Sequence, residues 1–245
     1  MYKYLLWDID GTILNFKAAE NLAIKALFEK YNLGECSDEM IEDYSKINTK
    51  YWKALERCEI SKSETLIGRF REWFESIGID ISLAEQFNDD YQIALGDYVV
   101  FEDNALEVLK SEKKELDRDG NRKYRLIAVT NGTKIAQEKK LRTSGLIDIF
   151  DAVYISEDVG FNKPSKEYFD IVFKEEGITS KEEVVIIGDS LTSDILGGNN
   201  ASIDTIWYNP ERRINKRGVK VTYDIDNLVD VEGILVIQEL VKLLT

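Results

Sequence analysis

The chain has 245 residues, 44% hydrophobic and 32% charged, long enough for one large core or for a core domain carrying a smaller module. A formal net charge of −14 disfavours nucleic acid polymers and anionic membrane surfaces as partners. The absence of histidine excludes Ser-His-Asp and Cys-His catalysis, histidine phosphoenzymes and His-ligated zinc, and the two cysteines, Cys36 and Cys58, form no CxxC, so a reducing, cytoplasmic setting is expected.

The first apolar run, Tyr4–Trp7, ends in Asp8 and reads as a strand buried on both faces; it is too short for a signal peptide or a membrane span. From about Phe16 to Leu95 the pattern changes to helical periodicity, with helices expected near Lys17–Tyr31, Ser37–Glu56, Ser61–Ser76 and Leu83–Leu95. Ser61 with Glu64 forms a capping-box pattern at the third. The charge-dense stretch Lys110–Lys123, with the turn pair Asp119-Gly120, reads as an exposed excursion. Then strands and helices alternate: Leu126–Val129, Thr133–Ser144, Val153–Ile155, Ser165–Glu176, Val184–Ile187, Leu191–Asn200 and Thr205–Tyr208, closed by a helix over Val231–Leu244. This alternation predicts an α/β fold with a doubly wound parallel sheet. The expected domains are a core of residues 1–15 and 96–245, interrupted by a helical cap of residues 16–95.

Ligands of open α/β sheets bind beyond the carboxyl ends of the strands. Asp8, Thr130 and Asp189 each fall at such an end, and Lys163 follows the third strand closely. Two carboxylates at one sheet edge repel unless a cation joins them, and Mg2+, which takes hard oxygen ligands, suits Asp8 and Asp189. A cation with Lys163 could neutralise a phosphate dianion while the Thr130 hydroxyl bonds its oxygens, and a carboxylate so placed can accept a phosphoryl group. Asp10 lies two residues beyond Asp8, on the same side of an extended chain, and could act as general acid and then base. Gly11 lets the chain leave the strand sharply, and Thr12 could hold the turn.

These residues resemble a known family. Asp8-Ile9-Asp10-Gly11-Thr12, Thr130-Asn131-Gly132, Asn162-Lys163-Pro164 and Gly188-Asp189-Ser190-Leu191-Thr192-Ser193-Asp194 resemble, in order, the four motifs of the haloacid dehalogenase-like hydrolases. The resemblance implies a Rossmann-like core with an inserted helical cap. It further implies Asp8 as nucleophile, Asp10 as acid/base, and Thr130, Asn131 and Lys163 as phosphate-binding residues. Asp8, the Asp10 backbone carbonyl and Asp189 would ligate Mg2+, with Asp194 either a further ligand or a supporting acid. Tyr44–Trp52 and Gly68–Trp73 also resemble the cap of the noncanonical pyrimidine 5′-nucleotidases, as do Ile155–Gly160 and Asp194–Gly198 in the core.

On that resemblance the expected enzyme is a phosphoric monoester hydrolase, a 5′-nucleotidase acting on nucleoside monophosphates with pyrimidines favoured. Asn48 and Trp52 share one helix face, and Arg69 and Phe70 lie on the next helix, so these four are candidates for reading the base; the alternative is that they form cap core. The competing readings are a phosphatase for sugar phosphates or phosphoglycolate, a phosphomutase, a haloacid dehalogenase and a catalytically idle binding protein. Asp10 argues against the dehalogenase, since halide needs no proton on leaving, and intact Asp8 and Asp10 argue against the idle protein.

Overall fold

The computed structural model describes residues 1–244 and divides into two compact units. One comprises Met1–Asn15, Val100–Lys134 and the chain from Ser144 onward. It holds a parallel sheet of β1 (Tyr4–Trp7), β2 (Arg125–Thr130), β3 (Ala152–Ile155), β4 (Val184–Gly188), β5 (Asp204–Tyr208) and β6 (Tyr223–Ile225). The strand order is β3-β2-β1-β4-β5-β6, the Rossmann-like arrangement the resemblance implied. Leu5, Leu6 and Trp7 have no more than a trace of exposure, as do Val184 to Ile187, which is why these strands are apolar without alternation. From β1 the chain first builds outward to β2 and β3, then crosses to β4, β5 and β6. The reversal leaves a crevice at the carboxyl ends of β1 and β4, where Asp8 and Asp189 follow.

β6 was not visible in the sequence. It is three residues long, carries Asp224 at its centre and pairs with β5 alone, so it lacks the apolar run that marked the others.

The second unit comprises Phe16–Val99 and Ile135–Thr143. It is built from α1 (Phe16–Lys30), α2 (Asp38–Glu56), α3 (Lys62–Ile77) and α4 (Ala84–Ala94). Local chemistry sets their ends. Ser37 accepts the Met40 N–H, Ser61 accepts the Glu64 N–H at 3.1 Å, and Gly78 ends α3 with φ of 74°. The buried faces converge on an aromatic core in which the Tyr44 and Phe70 rings stack at 4.9 Å and Phe74 meets Phe87 edge-on at 5.0 Å.

Three further features differ from the sequence reading. The charged stretch at 110–123 is not all excursion: α5 (Ala105–Lys114) runs through its first part, and only the turn around Asp117–Arg122 projects, closed by Asp117 Oδ1 accepting the Asp119 and Asn121 N–H groups. A high charge density hid a helix whose other face is buried. Next, α6 (Lys134–Ser144) follows β2 as expected, yet residues 135–143 group with the helical unit rather than the sheet. Ala136 joins that unit's core, Lys139 pairs with Asp97 at 2.6 Å, and the Lys140 ammonium lies 5.1 Å from the Phe16 ring. Residues 96–99 go with the helices for the same reason, the Lys139 stem lying against Gly96. Finally, α7 (Ser156–Val159) is a single turn that the sequence did not signal. It is followed by α8 (Lys166–Glu175), a wide turn over Leu191–Ile195 leading into α9 (Leu196–Ala201), and α10 (Asp230–Leu244). Among the described residues no helix is long and apolar enough to cross a membrane.

Glu112 on α5 is 1% exposed, and neither carboxylate oxygen has a partner at hydrogen-bonding distance. Burial pushes its pKa well above the ordinary value of 4.5, the Trp7 indole beside it pulls it back only in part, and Glu232 adds to the rise. Folding therefore keeps this acid protonated at pH values where the unfolded chain ionises it, and stability present below the unfolded pKa is lost as pH rises toward the folded one. Glu112→Gln removes that dependence. The difference in unfolding free energy between Gln variant and wild type, from urea melts at pH of about 5 to about 8, should shift in the variant's favour by up to ~1.4 kcal/mol per pH unit. A difference that does not change with pH would show that Glu112 is ionised in the fold.

Candidate active site

The ladder between β1 and β4 extends one residue past the strand, the Asp8 N–H donating to the Ile187 carbonyl at 2.9 Å. The chain then turns back tightly. The Gly11 N–H donates to Leu14, the Ile13 and Leu14 N–H groups both donate to Ile9, and Gly11 takes φ of 90°. Glycine is required there twice over, because a Cβ would also stand 3.0 Å from the Asp189 carboxyl carbon. This turn aims Asp8, 7% exposed, at the crevice and leaves Asp10 half-buried beside it.

Both oxygens of Asp8 are held. Lys163 Nζ donates to Oδ1 at 2.7 Å, and the Thr12 hydroxyl donates to Oδ2 at 3.1 Å. Thr12 also accepts the Asp189 N–H at 3.0 Å, so one hydroxyl ties the turn after β1 to the turn after β4. The Lys163 ammonium, on a side chain 1% exposed, uses its remaining protons on Asp194 Oδ1 and the Val129 carbonyl, each at 2.7 Å. Asp194 in turn accepts the Ser190 N–H on Oδ2 at 3.0 Å and lies directly over Gly188, where a Cβ would come within 2.3 Å of its carboxyl carbon. Asp194 lies in the wide turn Leu191–Ile195, its N–H donating to the Ser190 carbonyl at 3.0 Å.

Thr130 ends β2 almost fully buried, its Oγ1 accepting the Gly132 N–H at 3.1 Å. Asn131, expected to bind phosphate, has its side-chain amide engaged elsewhere. Its Nδ2 donates to the Lys163 carbonyl and its Oδ1 accepts the Lys163 N–H, both at 2.8 Å. It thus holds the backbone from which the lysine projects. Ser156 of α7 fixes Asn131 from the other side, donating to its carbonyl at 3.2 Å.

The electrostatics are lopsided. Asp8, Asp189 and Asp194 bring carboxylate oxygens within 4.8 Å of one another. Burial raises Asp8, the charges of Asp194 and Asp10 add to it, and Lys163 offsets only part. Asp189 is pushed well above the ordinary range, by burial first and then by Asp8 and Asp194. Burial alone would pull Lys163 down, but Asp194 and Asp8 outweigh it and hold the ammonium charged. One buried cation therefore faces three carboxylates. A second positive charge fits the surplus, and a donor set made only of hard oxygens matches magnesium.

The four cap candidates are not equivalent. Arg69, 1% exposed, donates Nη1 to Asn48 Oδ1 at 2.7 Å and Nη2 to Asn88 at 3.3 Å, and Asn48 donates to Glu20 at 2.9 Å. Asn48 thus bridges a buried acid and a buried base inside the helical unit. Phe70 has no exposed surface and belongs to the aromatic core. The shared reason is the helical period: their side of α3 is the side that α2 and α4 cover. Trp52 alone of the four is half-buried. Sequence reasoning passed over Trp207 and Arg213, which both donate to the Asp189 carbonyl at 2.9 Å. The signal available was that the fifth apolar run also ends at this sheet edge.

Residues 5–208 match the family described as haloacid dehalogenase-like hydrolase. The chain is 38% identical over 243 residues to the HAD-hydrolase YfnB of Bacillus subtilis, covering 98% of each. It is 36% identical over 232 residues to the pyrimidine 5′-nucleotidase PynA of Streptococcus pneumoniae, covering 94% of this chain and 93% of that one. A crystal structure of YfnB, described as bound to magnesium, superposes with a TM-score of 0.87 over 96% of this chain and 98% of that one, at 36% identity. The four motif segments, the strand order and these matches agree, and the chain belongs to the haloacid dehalogenase-like hydrolase family.

Proposed function

We propose that this hydrolase is a magnesium-dependent phosphatase of small phosphate monoesters that works through an aspartyl-phosphate on Asp8, with nucleoside 5′-monophosphates, pyrimidines favoured, as substrates. The observation that carries the chemistry is the Asp8 carboxylate itself, aimed by the turn at Gly11 and gripped by Lys163 and Thr12. Held at both oxygens, it has lost most of the freedom that a nucleophile must otherwise give up on the way to the transition state.

The ligands assigned to magnesium are Asp8, Asp189 and the Asp10 carbonyl; bound there, the ion supplies positive charge beside the phosphoryl oxygens. Asp194 is assigned to holding Lys163 and the Ser190 turn, since its two oxygens accept the Lys163 ammonium and the Ser190 N–H. In turnover, an Asp8 oxygen attacks phosphorus while Asp10 gives its proton to the leaving oxygen and the bond to that oxygen breaks. Water then attacks the phosphoryl group, passing its proton to Asp10, and inorganic phosphate leaves as Asp8 is regenerated. Lys163 and the Thr130 hydroxyl balance the charge that spreads over the phosphoryl oxygens. The leaving group must take up a proton, which the halide of a dehalogenase never does, so Asp10 separates the two chemistries.

What supports the substrate class is the similarity to PynA, named a pyrimidine 5′-nucleotidase, together with the partly exposed Trp52 in the helical unit. The burial of Asn48, Arg69 and Phe70 favours a second reading, a phosphatase for smaller metabolites such as sugar phosphates or phosphoglycolate, in which these residues only support the helical unit.

Asp8→Asn keeps the shape and removes the nucleophile, so steady-state phosphate release should vanish; a tenth or so of wild-type activity would refute the covalent route. Asp10→Asn should lower turnover by roughly 10²–10⁴ with an alkyl phosphate and much less with an activated aryl phosphate, whose leaving group needs no proton. Chelation should abolish activity and added magnesium restore it, whereas full activity in excess chelator would remove the metal from the mechanism. In a panel of monophosphates, pyrimidine nucleotides should lead in kcat/KM, and Trp52→Ala should harm them more than it harms a small aryl phosphate. A sugar phosphate or phosphoglycolate ahead by about tenfold would select the second reading.

A further inference from the structure

The N–H and the carbonyl of Asp189 are both held, and the bonds to its carbonyl come from two residues outside the four motif segments. Trp207, near the end of β5, donates its indole N–H to that carbonyl at 2.9 Å. Arg213, in the loop beyond, donates Nη2 to the same oxygen at 2.9 Å, and its guanidinium lies 5.6 Å from the centre of the Trp207 ring. The loop is itself fastened: Asn209 Oδ1 accepts the Arg213 N–H at 2.8 Å, and Asn209 Nδ2 donates to the Arg213 carbonyl at 3.1 Å. At the other end of the residue, the Asp189 N–H donates to Thr12, which donates to Asp8. A continuous hydrogen-bonded path therefore runs from Arg213 and Trp207 through Asp189 and Thr12 to the Asp8 carboxylate.

A carbonyl oxygen has two acceptor sites, and here both are filled by side chains. The peptide plane cannot rotate without losing both bonds, and the plane sets the direction in which the Asp189 side chain leaves the backbone. Gly11 leaves room for the carboxyl, where an added Cβ would stand 3.0 Å from its carbon. The distance from Arg213 Nη2 to the Asp189 carboxylate, 3.9 Å, is too long for a hydrogen bond. The guanidinium thus grips the backbone and leaves the carboxylate oxygens to a ligand.

We propose that Trp207 and Arg213 are positioning residues that clamp the Asp189 peptide and so pre-set the Asp189 and Asp8 carboxylates for a divalent cation, an inference that rests on the magnesium reading above. Partners of this kind, one step removed from a metal, typically govern affinity by ten- to a hundredfold. A role for Arg213 as a bare charge makes the opposite prediction. A guanidinium near a cation site repels the cation, so removing it would tighten binding.

The sign of the effect therefore decides. Magnesium binding is measured by titration calorimetry on wild type, Arg213→Met, Arg213→Lys and Trp207→Phe, with circular dichroism and melting curves to establish that each is folded. The magnesium requirement for activity is read alongside kcat at saturating metal. Arg213→Met and Trp207→Phe should each weaken binding by about tenfold and raise the magnesium requirement, with kcat at saturation changed by less than about threefold and Arg213→Lys intermediate. Arg213 lies on an exposed loop, so its variants test the clamp even where Trp207→Phe melts early. Unchanged or tighter binding by folded Arg213→Met overturns the inference while leaving the phosphatase reading intact. A wild type that gives no magnesium-binding heat and whose activity is indifferent to magnesium and to chelator overturns the magnesium reading, and the clamp with it.

Discussion

The ammonium of Lys163 lies between the carboxylates of Asp8 and Asp194, and the arrangement of the strand ends depends on that contact. Two carboxylates about 4 Å apart at an effective dielectric near 20 repel by roughly 4 kcal/mol, and here three come within reach of one another. Without the lysine that repulsion would have to be relieved by proton uptake or by another cation. With it, one charge is matched and the surplus stays negative, a state suited to a cation and then to an anionic substrate. The lysine reaches this place because its backbone is held on both sides by the Asn131 amide, and Asn131 is held in turn by Ser156. The ammonium thus gathers Asp8 from the end of β1, the Val129 carbonyl of β2 and Asp194 from the turn after β4.

Close approach of polar groups leaves no room for side chains beneath them. Gly11 and Gly188 are the floor of the site: the Asp189 carboxyl stands over one and the Asp194 carboxyl over the other. The wide turn after Ser190 sits over the same strand end, the Ser190 carbonyl accepting both the Asp194 and the Ile195 N–H. Strand termini, glycines and an irregular first helical turn act together, and each is intelligible only through the acid that it accommodates.

The helical unit solves a different problem with similar means. Glu20 and Arg69 are both buried, and they remain tolerable because Asn48 bonds each of them while Tyr91, Ser45 and Asn88 satisfy other atoms. The guanidinium also faces the Phe70 and Tyr91 rings at 4.9 and 5.2 Å. Such a network specifies how α1 to α4 meet, because a shifted helix would leave a buried charge unpaired. Of the four cap candidates, Trp52 alone keeps partly exposed surface.

The sequence alone determined β1 to β5, because a strand buried on both faces must be apolar throughout, and it placed Asp8 and Asp189 at strand ends for the same reason. It located the four helices between Phe16 and Leu95 through their period, and the Ser61 cap through its chemistry. It could not reveal β6, whose Tyr-Asp-Ile composition carries no pattern, or the helix hidden in the charged stretch before β2. Only the tertiary structure assigned residues 135–143 to the helical unit, since that depends on what Ala136 and Lys139 touch. It likewise turned the Asn131 amide toward Lys163, sank Arg69 and Phe70 into a core, and brought Trp207 and Arg213 to the Asp189 carbonyl. Periodicity and motif spacing act between neighbours in the chain, whereas these contacts join residues far apart in it, and what a side chain bonds is decided only when the chain has folded around it.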